Sequence, residues 1–433
     1  MKRVLIITYY WPPSGGAGVQ RWLKFAKYLP QYGWEPIIYT PENPDFAIED
    51  QSLQKDISND LHVIKRKIWE PYELYKTLIG KKGQKVNVSF AELGGKQSVI
   101  HKLALSVRGN LLIPDPRCFW IKPSVSFLKD YLKDHPVDAI VSTGPPHSMH
   151  IIGLKLHRHT NIPWIADFRD PWTNIDFYRE LNLSWLADKI HHKKEKQVLS
   201  EANRVVSVTP TWCRELSEKA GCTVNLVHNG YDEEDIIRIS DPIDTNFSIV
   251  HIGSINAARN PKVLWVALNE LLQEQPELKR YLKIKLVGNV EPVVFSDIDR
   301  YHLNDYIERI GYLSHKEAIT FQQTSQLLLL LINNTPNANG ILTGKLYEYM
   351  ASARPILAIG PVVSDIATLL AETNAGTVVD FYDVAGMKSA ILDLFERYKQ
   401  GKLNSEASGY QQYSRRAQCG VMAQLLDDVF KIN

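Results

Sequence analysis

Two basic residues in the C-terminal half stand where predicted helices begin. Arg259 lies just before Pro261, a residue favoured in the first turn of a helix, and Lys345 follows the turn Thr343–Gly344 in "TGKLYEYMASARPILAIG". A cation at this end of a helix opposes the helix dipole, whereas a bound phosphate is favoured there. One diphosphate held by both side chains would account for the two placements together. For either residue alone, a solvated surface cation is the alternative.

A glycine-rich loop offers another anion site in the N-terminal half. The stretch "PPSGGAGVQRW" at 12–22 joins a predicted strand to a predicted helix, and Gly15, Gly16 and Gly18 permit close approach of the backbone to a negative group. The spacing fits neither G-x-G-x-x-G nor G-x-x-x-x-G-K-[ST], which disfavours a nicotinamide enzyme and a P-loop nucleotidase. A glycine-rich turn without function is the alternative.

Polar residues near predicted strand ends and turns of the N-terminal half are candidates for binding a second substrate. His147 and His150 stand at a strand-to-helix turn in "STGPPHSMHIIG", Arg169 and Asp170 lie in "DFRDPW", and Arg117 lies in "PDPRCFW". Arg169 could bind an acceptor phosphate or form an ion pair with a flanking aspartate. Each histidine could instead be a core or helix-cap residue, and Arg117 could serve the acceptor or the fold.

Short apolar runs, each followed by an amphipathic stretch of helical period, form the elements that must position these residues. Strands that alternate with helices predict an α/β protein whose parallel sheets are covered on both faces. The runs occupy residues 4–8, 36–40, 61–66, 139–145, 164–170, 204–210, 247–254, 282–289, 306–314, 327–333, 355–360 and 375–380.

The runs form two series, which predicts two doubly wound, Rossmann-like parallel-sheet domains facing across a cleft. We expect an N-terminal domain at 1–235, a second domain at 236–408, and a C-terminal helix at 409–433 that packs back on the first domain. Ligands of open parallel sheets bind beyond the carboxyl ends of the strands. The cleft is therefore the predicted site.

Composition narrows the class of protein. A chain of 433 residues is too long for one core, and no apolar run reaches the length of a membrane span. Residues 1–200 carry a charge balance of +8 and residues 201–433 one of −6, so the first half suits an anionic surface or a phosphate-bearing substrate. The sequence lacks the concentrated basic stripe that is typical of nucleic-acid-binding proteins. Four cysteines without metal or redox spacing predict a cytoplasmic protein.

Basic and aromatic residues interleave in "KRKIWEPYELYKTLIGKKGQK" at 65–85. This pattern is typical of a helix lying on an anionic membrane surface, which would place the protein at the inner face of the membrane. A solvated helix over the core, followed by a basic loop, is the alternative.

The ordered series "GSINAARNP", "LVGN", "ERIGYLSHKEA", "LLLLLIN" and "GKLYEYMASARPILAIG" is similar to retaining glycosyltransferases of the GT-B fold, family 4. "TYYWPPSGGAGVQRWLKFAKYLPQYGWEPIIYT", "PWIADFRDPW" and "VHNGYD" resemble earlier markers of that family. The resemblance implies that Arg259 is one of two cations holding the donor's diphosphate and that Glu348 binds the nucleotide ribose. Ser254 and Gly340 depart from the family pattern, which has a cation and a second glutamate there. Lys345 and the backbone amides of Thr343 and Gly344 would compensate.

The resemblance implies a metal-independent, hexosyl-type transferase without a cofactor. It would move a sugar from a nucleotide-sugar donor to a hydroxyl of a lipid-linked acceptor or growing surface polysaccharide, with retention of configuration. Asp297–Asp299, "DID", is expected to be a solvated turn rather than a metal site. The implied catalytic residues are Arg259, Lys345 and His150; the donor-binding residues are Gly16, Gly18, Gly253, Ser254, Gly288, Leu313, Thr343, Gly344 and Glu348; the acceptor-side residues are His147, Arg169, Asp170 and Arg117.

Two other functions fit the same pattern. A nucleotide-sugar epimerase of this architecture needs acid and base groups around the sugar, and the second half of the sequence offers no clear set. A catalytically silent partner that binds a nucleotide sugar or a lipid would be compatible with Ser254 and Gly340.

Overall fold

A computed structural model describes residues 1–45, 49–71, 106–176, 178–236 and 241–431. Most of the predicted membrane-surface stretch at 65–85 lies outside these residues. The chain divides into two compact units, which we call unit 1 (Met1–Asn229 with Arg415–Asn433) and unit 2 (Gly230–Ser414).

Unit 1 is built on seven strands that pair in parallel. The strands are β1 (Lys2–Ile7), β2 (Trp34–Pro41), β3 (His62–Arg66), β4 (Ala139–Gly144), β5 (Trp164–Phe168), β6 (Arg204–Ser207) and β7 (Val224–Leu226), and the helices are α1 (Ala17–Tyr28), α2 (Cys118–Asp134), α3 (Ser148–Thr160), α4 (Trp185–Glu201) and α5 (Pro210–Ala220). The strands lie in the order β3-β2-β1-β4-β5-β6-β7.

The sheet of unit 1 is buried on both faces because successive side chains of its strands point to opposite sides. Val4 and Ile6 of β1 pack with Trp22 of α1 in one apolar cluster, while Leu5 and Ile7 lie in the cluster on the other face. The sequences of the central strands are therefore continuously apolar, which is typical of parallel strands covered by helices on both faces.

Unit 2 repeats this plan with six parallel strands. They are β8 (Phe247–Ile252), β9 (Leu282–Val287), β10 (Ile307–Ile310), β11 (Leu327–Leu331), β12 (Ile356–Ile359) and β13 (Gly376–Val379), and the helices are α6 (Lys262–Glu274), α7 (Leu278–Tyr281), α8 (Pro292–Arg300), α9 (His315–Thr324), α10 (Gly344–Ala351), α11 (Asp365–Thr373) and α12 (Val384–Lys399). The strand order is β10-β9-β8-β11-β12-β13.

The last helix, α13 (Arg415–Phe430), belongs to unit 1 and packs against α1. Its residues Cys419, Met422 and Leu426 are buried in the same cluster as Trp22 and Leu23 of α1. One face of α1 is thus covered by the sheet and another by the end of the chain.

A buried ion pair ties α1 to β5. The guanidinium of Arg21 donates to both carboxylate oxygens of Asp167, at 2.9 and 3.2 Å, and to the carbonyl of His228 at 2.7 Å. Trp22 Nε1 and Thr143 Oγ1 also donate to Asp167. Burial by itself would raise the pKa of Asp167, but Arg21 and these donors lower it below the ordinary value.

The strand order reverses at one place in each unit, between β1 and β4 in unit 1 and between β8 and β11 in unit 2. At such a switch point the two following loops diverge to opposite faces and leave a crevice that commonly binds ligands. The residues of interest are therefore those after β1 and β4 and those after β8 and β11.

The predicted class, two doubly wound parallel-sheet α/β domains, is confirmed, and each of the twelve apolar runs overlaps a strand. Two details differ. The three-residue strand β7 was not predicted, because "VNL" is too short to form an apolar run. The expectation of a solvated turn at Asp297–Asp299 was wrong, because these residues lie within α8, where Asp297 accepts a hydrogen bond from Asn260 at 2.6 Å.

Candidate functional site

The loop after β8 begins at Gly253 with a backbone that only glycine adopts readily. Its φ is +126°, and its N–H donates to the carbonyl of Val287 at 2.7 Å. A Cβ at this position would collide with Nζ of Lys345, so the ammonium lies directly against the Gly253 backbone. Gly288, at the end of β9, also has positive φ, and a Cβ there would stand 3.1 Å from the backbone of Gly253. Glycine at 253 therefore makes room for the lysine.

Lys345 places its ammonium directly against Gly253. Within the residues that the structure describes, its ammonium has neither a hydrogen bond nor an ion pair. Burial, and then the nearby charge of Arg259, lower the pKa of Lys345 to about 8, while Glu348 acts in the opposite direction. The two cations predicted at helix starts thus lie close enough to repel each other. An anion bound between them would relieve that repulsion.

Arg259 is held by the loop that follows β11. Its Nε donates to Oδ1 of Asn333 at 2.5 Å, and its backbone N–H donates to Oδ1 of Asn256 at 3.0 Å. The N–H of Asn334 donates to the carbonyl of Ala258 at 2.9 Å, so the two loops of the switch point are joined directly. The sequence reasoning missed Asn333; the signal was an asparagine immediately after the apolar run "LLLLLI".

A neutral histidine, His251, lies near the two cations. His251 on β8 is buried, its Nδ1 donates to the carbonyl of Leu329 at 3.0 Å, and its Nε2 faces the Ser254 backbone without a hydrogen bond of normal geometry. Burial, Lys345 and Arg259 lower the pKa of His251 to about 3. It therefore adds no third positive charge near neutral pH. The sequence reasoning missed it, although it is the only basic residue in the run "FSIVHIGS".

Helix α10 is fixed to the end of β8. The backbone N–H of Ile252 donates to the hydroxyl of Tyr349 at 3.2 Å, and Leu346, Tyr349 and Met350 are buried in one apolar cluster. Thr343 precedes the helix in an extended conformation without capping it, and its buried Oγ1 has no hydrogen-bond partner in the part of the chain that the structure describes. The start of α10 thus presents backbone N–H groups, a hydroxyl and the Lys345 ammonium to one place, which suits an anion.

Glu348 lies one turn further along α10. Its Oε2 accepts a long hydrogen bond of 3.4 Å from Nε2 of Gln322 on α9. Gln322 is only 2% exposed, and its Oε1 has no hydrogen-bond partner. The sequence reasoning missed Gln322, because nothing in the pattern of α9 indicates which polar residue turns inward. Of the other predicted donor residues of unit 2, Ser254 is exposed and Leu313 packs beside the apolar cluster of α10.

Arg169 in unit 1 joins the two loops of that unit's switch point. Its guanidinium donates to the carbonyl of Gly18 at 2.8 Å and to the carbonyl of Pro145. Gly18 lies on α1 just after Gly16, which caps the helix with φ of +91°. Neither aspartate flanking Arg169 is hydrogen-bonded to it in the described part of unit 1. The guanidinium thus fixes the glycine loop against the loop after β4.

His147 and His150 converge on Gly144, at the end of β4. A Cβ on Gly144 would stand 2.6 Å from Nε2 of His150 and 3.1 Å from Nδ1 of His147. Trp164 Nε1 donates to the Ser142 hydroxyl at 2.9 Å, and the same hydroxyl is hydrogen-bonded to Nδ1 of His150 at 2.9 Å, which fixes the imidazole ring with its Nε2 towards Gly144. Burial lowers the pKa of both histidines, that of His150 to about 3. Both are therefore neutral.

The two remaining acceptor-side candidates have different surroundings. Asp170 is half-buried beyond β5, and burial raises its pKa while Arg169 opposes that rise. Arg117 pairs with Glu70 at 2.9 Å and stacks over the ring of Tyr9, with 4.4 Å between guanidinium carbon and ring centroid. The structure thus gives Arg117 an internal contact within the fold of unit 1.

Two Rossmann-like parallel-sheet units in one chain are the architecture of the GT-B class of fold. Residues 15–235, about half of the chain, match Glycosyltransferase Family 4, and the chain belongs to this family. No curated protein sequence matches the chain significantly.

Solved structures support the fold along the whole chain. Sucrose-phosphate synthase from Thermosynechococcus elongatus superimposes with a TM-score of 0.63 at 14% identity over 100% of both chains. A proposed UDP-N-acetylglucosamine 2-epimerase from Listeria monocytogenes gives 0.57 at 10% identity, over 100% of this chain and 97% of that one. WaaG, a glycosyltransferase of lipopolysaccharide biosynthesis, gives 0.52 at 12% identity over 99% of each chain. At these identities the likeness establishes the GT-B fold, not the reaction.

Proposed function

We propose that the protein transfers a hexosyl-type sugar from a nucleotide-sugar donor to a hydroxyl acceptor, with retention of configuration and without a metal. The observation that carries the proposal is the unpaired ammonium of Lys345 against Gly253, beside Arg259. Two fixed cations and the start of α10 would offset the charge that develops on a leaving diphosphate, which is the usual task of such preorganised groups. Membership of Glycosyltransferase Family 4 favours transfer over epimerisation.

In the proposed reaction the bond between the anomeric carbon and the leaving phosphate oxygen breaks. The bond from the anomeric carbon to the acceptor oxygen forms on the same face, and the leaving phosphate takes the acceptor proton. Glu348 would accept hydrogen bonds from the ribose hydroxyls, with Gln322 holding one of its oxygens. His150, whose Nε2 is directed towards Gly144, would form a hydrogen bond with the sugar or the acceptor.

A carbohydrate or lipid-linked acceptor is part of the proposal, as is a cytoplasmic location near the membrane. Among the described residues, no helix is both long and apolar enough to cross a bilayer. Likewise, no group of three or more potential metal ligands occurs among them.

Assays with UDP-, GDP- and ADP-sugars, with and without lipid acceptors and in the presence of a chelator, test the reaction. Transfer or donor hydrolysis supports it; isomer formation indicates the epimerase, and binding without turnover indicates the silent partner.

Replacing Glu348 with alanine is expected to raise the KM for the donor by about 10- to 100-fold with little change in kcat, because a hydrogen bond to a charged group contributes about 1.5–3 kcal/mol. Steady-state kinetics with the donor varied measure the effect. Glu372→Ala, an exposed change on α11, is the matched control. Unchanged donor kinetics in the Glu348 variant would refute its assignment to the ribose.

Gly253→Ala is expected to weaken binding of the nucleoside diphosphate product about tenfold or more. The new methyl group both strains a backbone at φ +126° and displaces Lys345. Calorimetric titration with UDP, GDP and ADP identifies the nucleotide and measures the loss. Gly401→Ala is the control, because it also places a side chain at a positive φ, +67°, but with no neighbour within 4 Å among the described residues. Equal affinities for the two variants would show that Lys345 does not need the space.

A further inference from the structure

Four large apolar side chains of unit 1 lie exposed on adjoining segments. Trp185 and Leu186 begin α4 and are 74% and 59% exposed, and Val107 and Leu111, on the helical stretch 106–111, are 45% and 73% exposed. We call these four residues the apolar patch. Leaving them in water is costly, and patches of this kind mark interaction sites.

The two segments of the patch are fixed to each other. The backbone N–H of Ser184 donates to Oδ1 of Asn110 at 2.6 Å, and Nδ2 of Asn110 donates to the carbonyl of Asn182 at 3.2 Å. A Cβ on Gly109 would meet the side chains of Leu183 and Leu181. These contacts therefore hold the two segments that carry the apolar residues next to each other.

A row of lysines continues from the patch along α4. Lys189, Lys193 and Lys196 follow Trp185 at intervals of one, two and three turns, so they share its face of the helix, and all three are exposed. Nζ of Lys189 lies 5.0 Å from the centre of the Trp185 ring. None of these lysines forms an ion pair with any residue that the structure describes.

The nearby acidic groups do not neutralise this row. Glu195 is buried and pairs with Lys219, and its oxygens accept from Thr173. Asp188 accepts from Tyr178 and lies 3.5 Å from His192. The exposed face of α4 therefore carries an excess of positive charge next to an exposed tryptophan.

We propose that the apolar patch and the lysine row dock together on an anionic lipid surface. Tryptophan and leucine would enter the boundary between headgroups and acyl chains, while the lysines contact the headgroups, as in interfacial helices. Two copies of this chain would bring like charges together, and a nucleic acid would leave the apolar patch uncovered. The proposed function gives this docking a purpose, access to a lipid-linked acceptor, but the docking itself does not depend on catalysis.

Sedimentation of the full chain with phosphatidylcholine vesicles, with and without phosphatidylglycerol, tests the proposal. We expect binding to the anionic vesicles that weakens in high salt. The variants W185S/L186S and K189E/K193E should each lose about tenfold or more in partition coefficient, because each removes two of the contacting groups. V362S/V363S, which changes exposed apolar residues of unit 2, is the matched control and should bind as the unaltered chain does.

Circular dichroism and transfer to a water-soluble acceptor are expected to be unchanged in the vesicle-binding variants. Equal binding to neutral and anionic vesicles, or retained binding by both variants, overturns the proposal. Two other results would also overturn the proposal. One is dimerisation on size exclusion that is lost when the apolar patch is changed. The other is binding to single-stranded DNA but not to vesicles, with no effect of the patch variants. A chain that binds vesicles but turns over no donor would refute the proposed function and leave the docking surface standing.

Discussion

Replacement of Lys345 with methionine is expected to lower kcat/KM for the donor by about 10²- to 10³-fold, the cost of removing one preorganised group at a developing negative charge. The side chain has nearly the same length, so the fold around Gly253 is kept while the ammonium is lost. Lys262→Met, an exposed change at the start of α6, is the control. A Lys345 variant that retained kcat/KM within about threefold would remove the basis of the proposed function.

The pH dependence gives an independent test of the same lysine. Because the pKa of Lys345 in the unliganded protein is about 8, its charge is nearly complete at pH 7 and falls as the pH rises through 8. Affinity for the nucleoside diphosphate should therefore fall about tenfold between pH 7 and pH 9 in the unaltered protein. Arg259 stays charged across this range, and the Lys345→Met profile should be flat. Calorimetric titration at each pH measures both.

The lowered pKa of Lys345 also makes the stability of the unliganded protein depend on pH, in the direction opposite to that of ligand affinity. An unfolded lysine keeps its ordinary, higher pKa, so between about pH 8 and the ordinary value the unfolded state binds more protons than the folded state. The contribution of Lys345 to stability therefore becomes more favourable as the pH rises. Lys345 thus costs stability at neutral pH, where its charge is useful for binding an anion.

Replacement of Arg21 with methionine is expected to lower the free energy of unfolding of unit 1 by about 3–5 kcal/mol. Arg21 and Asp167 are 2% and 0% exposed, and removing one partner leaves a buried charge without its counter-ion. Nine of the ten tryptophans precede residue 230, so urea unfolding followed by tryptophan fluorescence reports mainly on unit 1.

A double variant distinguishes the electrostatic coupling between Arg21 and Asp167 from the loss of side-chain packing. In Arg21→Met with Asp167→Asn no charge is left uncompensated, so the double variant should be more stable than the sum of the two single changes predicts. Lys133→Met, which removes a solvent-exposed pair, should change the free energy of unfolding much less than Arg21→Met does. Strict additivity of Arg21→Met and Asp167→Asn would show that the pair is not coupled.

The fold could be predicted from sequence because its strands are apolar on both faces. Such runs are visible without knowledge of the tertiary structure, and each of the twelve overlaps a strand. The two features that were not predicted correctly, β7 and the helical position of Asp297, have little in their local sequence to indicate their structure. β7 has three residues at the edge of a sheet, and Asp297 lies in a helix whose register is fixed partly by contact with Asn260.

The candidate site was less accessible to sequence reasoning. The placement of Arg259 and Lys345 at helix starts indicated a common anion, and the structure brings the two side chains into electrostatic range; their role in binding stays a prediction. Asn333, His251 and Gln322 were not predicted, because each acts through a neighbour that is distant in sequence. Arg169 was predicted as an acceptor-side residue, but its partners, the backbone carbonyls of Gly18 and Pro145, were not, because they too are distant in sequence.

The position of α13 in unit 1 has a consequence for biosynthesis. During translation the ribosome must complete all of unit 2 before it supplies the helix that covers Trp22 and Leu23. Until then the nascent first unit displays an apolar surface on α1, which is a natural substrate for chaperones and a risk for aggregation. The apolar surface of unit 1 is thus completed only after unit 2 has been synthesised.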